Sequence, residues 1–147
     1  MIPRRAKPED IPALRALAQQ CFQPYAPLIG KMPAPGLETF DERVERNQVW
    51  VLGSPISAYL IAYDKPPGFL IDAVAVSLRH QGKGLGKQLL QFSETLAADA
   101  GHALIWLYAN EVMLSNIGLY ERLGYQAFDR RREDGYDRVF MRKRLIA

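Results

Sequence analysis

Apolar residues change their spacing several times along the chain, and each change marks an element. Ile11, Leu14, Leu17, Ala18 and Cys21 recur at helical spacing. Pro8, Glu9 and Asp10 suit the first turn of a helix, so the pattern predicts a helix over residues 8–22. The preceding "MIPRRA" reads as a short edge strand, because Pro3 cannot donate to a ladder. Residues 23–36 contain Pro24, Pro27, Pro33, Pro35, Gly30 and Gly36, which break regular structure. The same stretch carries Tyr25, Leu28, Ile29 and Met32, and a connection this long and apolar is often functional. "LETFDERVERN" follows as a second helix, with Leu37, Phe40 and Val44 on one face.

Three strand-like runs come next: "VWVLG", "SAYLIAYD" and "FLIDAVAVS". Gly53-Ser54-Pro55 and Lys65-Pro66-Pro67-Gly68 separate them, and such short spacers predict antiparallel hairpins. The last run leads into "RHQGKGLGK" and then a long amphipathic segment with Leu85, Leu89, Phe92, Leu96 and Ala100 as its buried stripe. Gly101 is a natural helix stop. "ALIWLYAN" is apolar throughout and predicts a strand buried on both faces. "SNIGLYERLGY" predicts a helix with Ser115 as its cap and Gly124 at its end, and Asp134-Gly135 predicts a tight hairpin between two final strands. The order is β-α-α-β-β-β-α-β-α-β-β. It fits an α+β fold, a mixed sheet in one layer against helices, in a single domain over residues 1–147.

Composition narrows the picture. Apolar residues make up 48% and charged residues 24%, as in a folded globular chain. The net charge of +3 fits an anionic ligand. The basic residues gather in the glycine loop and the last twenty positions. Arg130, Arg131, Arg132, Arg138, Arg142 and Arg144 read as a solvated hairpin, and without aromatic–basic interleaving nucleic acid ranks low as a partner. The single cysteine, Cys21, precludes an internal disulfide and reads as a small packed hydrophobe. Two histidines and one cysteine, far apart, give no metal-ligand spacing. The chain does not open with a signal-like segment, and no apolar run approaches the ~20 residues needed to span a bilayer, so a cytoplasmic protein without a membrane partner is expected.

The chemistry concentrates in the glycine loop. Gly82, Gly84 and Gly86 permit positive φ and close approach of a ligand to the backbone. The helix start behind them offers unpartnered N–H groups and a partial positive charge, and Arg79, Lys83 and Lys87 add full charges. These features make a phosphate cradle. A P-loop needs G-x-x-x-x-G-K followed by Ser or Thr; this loop is one residue short and lacks the hydroxyl. A dinucleotide fingerprint needs G-x-G-x-x-G, and here the spacing is G-x-G-x-G. On the loop alone, a purely structural tight turn stands equal to a ligand site.

The setting decides between them. The loop fits V-x-x-x-x-Q-x-x-G-x-G, and "SNIGLYERLGY" follows roughly thirty residues later. With both in place, nearly the whole chain resembles the GNAT superfamily of acyl-CoA-dependent N-acyltransferases. The resemblance implies acetyl-CoA lying where two central parallel strands, "FLIDAVAVS" and "ALIWLYAN", splay apart. Val74, Ala75 and Val76 would then meet the ligand through their backbone. Gln81, Gly82, Lys83, Gly84, Leu85, Gly86 and Lys87 would form the pyrophosphate loop. Asn116 would contact the cofactor or cap its helix; the family often has Asn seven residues before its tyrosine, where this chain has Met113, which leaves Asn110 and Asn116 both open. Tyr120 would serve as general acid to the departing thiolate.

Asp72, the only acid on the central strand, is expected in phase with Val74 and Val76. It is either the base for the attacking amine or a buried acid paired with arginine. The implied reaction is direct acetyl transfer to a primary amine on a small molecule or peptide, with no metal. A catalytically silent acyl-CoA sensor is the alternative. Self-association as a homodimer is compatible with the fold, and the acceptor is unnamed.

Overall fold

The computed structural model describes residues 1–145. Seven strands form one sheet in the order β1-β2-β3-β4-β5-β7-β6. They are β1 (Arg4–Arg5), β2 (Val49–Leu52), β3 (Ala58–Lys65), β4 (Gly68–Val76), β5 (Leu104–Asn110), β6 (Gln126–Glu133) and β7 (Tyr136–Arg144). The α-helices are α1 (Ile11–Phe22), α2 (Ala26–Ile29), α3 (Asp41–Glu45), α4 (Leu85–Asp99) and α5 (Leu114–Arg122). All neighbours pair antiparallel except β4 and β5, which are parallel.

Helices cover both faces of this one-layer sheet. Leu89, Leu90 and Ala97 of α4 pack with Leu52, Leu60, Ile71 and Leu107 on one face. Leu14, Leu17 and Ala18 of α1 pack with Val49, Val51, Tyr59 and Ile61 on the other. The reason is visible in β2, all of whose residues are buried: a strand apolar on both sides needs a cover on both.

Three local expectations change. The second helix shrinks to Asp41–Glu45, because Phe40 adopts φ 70 and breaks it from Leu37, which sits exposed in a separate 3-10 turn. The irregular stretch folds as short helical turns, including α2 and a 3-10 turn at Ala34–Leu37. Helix α5 starts at Leu114 with Met113 as its N-cap, so Ser115 lies inside the first turn and caps nothing. The Asp134-Gly135 hairpin forms as expected, both residues having positive φ (52 and 78).

Candidate active site

The sheet opens at its centre. Strand β4 pairs with β5 only from Phe69↔Ile105 to Ile71↔Leu107. Beyond those pairs the two strands part. The Ser77 N–H donates to the Ser57 carbonyl at 2.8 Å, and Ala58 lies opposite Val76. Antiparallel alternation therefore turns the amides and carbonyls of Val74 and Val76 away from β3 and into the opening. Ala75, which the resemblance grouped with them, is turned the other way: its backbone faces Tyr59 of β3 and its side chain packs in the α1-side core. The Val76 carbonyl is partnered, accepting from Cys21 Sγ and from Gln81 Nε2, each at 3.2 Å. Gln81 thus spends its side-chain amide closing the loop onto the strand end.

The loop continues the opening. Gly82 and Gly84 have φ of 80 and 81, and an added Cβ at either would meet nothing within 4 Å. Gly86 differs from the expectation: it sits inside α4 without positive φ, and a Cβ there would touch Val76 at an ordinary 3.6 Å. Gly84 caps α4, and Gln88 N–H is the first to bond back, to the Gly84 carbonyl. Leu85, Gly86 and Lys87 therefore present amides free of intrahelical partners. Val74, Ala75, Val76, Gln81, Gly82, Gly84, Leu85, Gly86 and Lys87 line one cavity of about 420 Å³; Lys83 does not. Free strand polar groups at one end and free helix amides at the other fit an elongated ligand with amide groups and a phosphate.

A second cavity adjoins the first, and Phe22, Val74, Asn116 and Tyr120 border both. Tyr120 comes from α5 and is 6% exposed. Burial pushes its phenol pKa well above the ordinary tyrosine value, and its ring meets Tyr125 edge-on at 6.1 Å. Asn116 reaches toward Met113 Sδ at 3.9 Å, while Asn110 uses its side-chain oxygen to accept the Val112 N–H at 3.1 Å. Both asparagines line the second cavity, and Asn116 alone of the two lines both.

Asp72 is displaced from its expected phase. The ladder runs Ile61↔Ala73 and then Ala62↔Ile71, so Asp72 is the extra residue of a β-bulge. The bulge switches the alternation: Val74 and Val76 pack on the α4 face, whereas Asp72 binds residues of the opposite one. Its oxygens accept from the Tyr108 hydroxyl (2.8 Å) and the Tyr63 hydroxyl (2.9 Å), with Arg43 Nη2 at 3.6 Å. Burial, and next the adjoining carboxylate charge, raise the pKa of both phenols. Asp72 still lines the second cavity.

Sequence reasoning missed Cys21, Tyr108, Tyr136 and Arg138 as lining residues. Cys21 is half-buried and its thiol is pushed up to about 11 by burial. Tyr108 stands just past Leu107, the last β5 residue that pairs with β4, a position set by the splay. Arg138 was hidden within an arginine-rich run whose other members pair on the hairpin surface, such as Arg132 with Asp137 at 3.1 Å.

Known proteins share this fold. A family model described as an acetyltransferase (GNAT) domain matches residues 45–127. No curated protein matches the chain in sequence. Several solved structures match its fold. Ard1 from Thermoplasma volcanium superposes with a TM-score of 0.80 at 14% identity, covering 99% of this chain and 98% of that one. The PaiA N-acetyltransferase from Thermoplasma acidophilum, in complex with coenzyme A, gives 0.79 at 16%, covering 97% and 98%. The ribosomal-protein-S18-alanine N-acetyltransferase from Escherichia coli gives 0.73 at 18%, covering 99% and 94%.

Proposed function

The chain belongs to the GNAT acetyltransferase family, and from that premise we propose that it moves an acetyl group from acetyl-CoA to a primary amine by direct attack. The observation that carries this reading is the continuity of the two cavities at Tyr120. On one side of the phenol lie the free backbone groups of β4 and the free amides of α4. On the other lies a cavity with a carboxylate. The PaiA structure, which holds coenzyme A, has the same fold and supports acetyl-CoA as the donor.

Each residue has a role set by its placement. Val74 and the N–H of Val76 offer the backbone groups that an extended pantetheine amide chain pairs with, as an added strand would. Gly82 and Gly84 keep the loop backbone clear, and Leu85, Gly86 and Lys87 aim amides at the pyrophosphate. Tyr120 carries its proton at neutral pH, as any tyrosine does and the more so for its burial, and donates it to the thiolate as the C–S bond breaks. Asp72 keeps lone pairs beyond the two used by the tyrosines and takes the proton that the attacking ammonium must lose. Lys83 is dispensable to the cradle. Asn116, at the junction, orients the acetyl-bearing end.

The test is thiol release from acetyl-CoA by the purified protein against a panel of amines. Thiol release that depends on an added amine, with the N-acetylated product seen by mass spectrometry, supports the reading. Tight acetyl-CoA binding with no turnover on any amine overturns it and leaves a binding module.

A further inference from the structure

Beyond Tyr120 the second cavity meets two side chains of opposite charge. Asp72 stands at the β4 bulge and Arg138 on β7, and both line it. Tyr108 spans the distance between them. Its hydroxyl donates to Asp72 Oδ1 at 2.8 Å, and the Arg138 guanidinium lies over its ring, 4.7 Å from the centroid. Both charged side chains are largely buried, 16% and 12% exposed.

Arg138 is only partly neutralised. It contacts Glu133 at 3.3 Å and Asp134 at 3.9 Å, both through Nη1. Among the described residues its Nη2 and Nε make no hydrogen bond to a side chain or backbone group. A guanidinium carries five N–H groups in a fork that matches a carboxylate, and those on Nη2 and Nε are left open to a ligand. The cavity therefore presents a cation with spare donors at one end and a carboxylate at the other.

The walls limit what can enter. Pro33, Ala34 and Pro35 form one side. That strap is tied to the β6–β7 hairpin: Tyr136 Oη donates to the Met32 carbonyl at 2.7 Å, and Lys31 Nζ donates to the Asp134 carbonyl at 3.0 Å while sitting 4.0 Å over the Tyr136 ring. A polypeptide would have to lift this strap. It would also offer Arg138 a neutral amide carbonyl in place of a carboxylate.

We propose that the acceptor is a small molecule bearing both a primary amine and a carboxylate, of the free amino acid class. Arg138 binds its carboxylate and Asp72 its ammonium. This rests on the reading of the second cavity as the acceptor site of an acetyltransferase. The ammonium first passes one proton to Asp72; the neutral amine nitrogen then bonds to the acetyl carbon, the C–S bond breaks, the thiolate takes the Tyr120 proton, and the second proton that leaves the nitrogen restores the Tyr120 phenol through solvent.

The experiment compares thiol release with L-amino acids, their primary amides, the corresponding decarboxylated amines and a short peptide. The expected result is a kcat/KM for at least one amino acid about 10- to 100-fold above its amide, the range for losing hydrogen bonds to a charged group. Arg138→Gln should lower kcat/KM for the amino acid about 10-fold or more beyond any loss for its amide, because the bonds to a charged carboxylate are the stronger, so the two are brought level. Amides, amines or the peptide turning over as well as free amino acids would overturn the proposal while leaving the acetyltransferase standing. So would an Arg138→Gln protein that loses acid and amide alike. Without any turnover, calorimetric titration of the coenzyme A complex decides. Binding of an amino acid but not its amide upholds the pocket and sinks only the transfer; binding of neither sinks the pocket.

Discussion

Tyr120 and Cys21 both line the cofactor-side cavity, and burial drives both pKa values the same way, yet the consequences differ. For a proton donor, a raised pKa secures the protonated form at neutral pH. Tyr120→Phe keeps the ring and removes the proton, so kcat should fall by about 100-fold or more with little change in acetyl-CoA affinity; steady-state kinetics beside a binding titration check this. For a thiol, a pKa of about 11 removes the nucleophile. On this reading Cys21→Ala should retain kcat, and alkylation of the wild-type thiol should be slow at neutral pH and accelerate only as pH climbs toward 11. Rapid alkylation at neutral pH would contradict the buried placement. Asp72 shows what a single residue cannot reveal in sequence. Its acidity was legible, but its two phenol partners lie 9 and 36 residues away.

At the scale of elements, β4 governs the site because it pairs, bulges and then parts from β5 in nine residues. Gly68 begins it, and an added Cβ there would lie 2.2 Å from the Leu104 carbonyl oxygen. Gly68→Ala should therefore push β5 off β4 and cost about 1–3 kcal/mol, the range for overpacking. A drop in thermal midpoint with proportionate loss of coenzyme A binding would report it. Gly84→Ala acts differently: the space is open but φ is 81, so the cost of about 1–2 kcal/mol comes from backbone strain at the α4 cap. Coenzyme A affinity should fall more than stability does. Strand β6 needs no such fit, being exposed nearly throughout.

Across the whole molecule, the strap and the hairpin are about a hundred residues apart in sequence and meet over one cavity. Lys31 is exposed, so Lys31→Ala should change stability by no more than about 0.5 kcal/mol. It should nevertheless raise KM for the acceptor, because the strap loses one tie and the cavity one of its fixed walls. Equal KM for variant and wild type would mean that the Tyr136–Met32 bond holds the strap alone. Among the described residues, no helix is long and apolar enough to cross a membrane.

The sequence alone determined the order of elements, the positive-φ glycines of the loop and the helix that carries Tyr120, because each is written in local spacing. Period-two and period-3.6 runs mark strands and helices; glycines at 82 and 84 mark positive φ; and "NIGLYERLGY" carries Tyr120 on one helix. Tertiary structure decided what depends on register and on distant partners. The bulge at Asp72 flips its face, and no sequence pattern announces a one-residue slip between β3 and β4. Hydrogen bonding to β3 withdrew the backbone of Ala75 from the opening while leaving Val74 and Val76 in it. Folding also set Arg138 over Tyr108, with part of its fork open to the cavity. Such placement arises from the closure of the sheet around the splay, a property of all seven strands together.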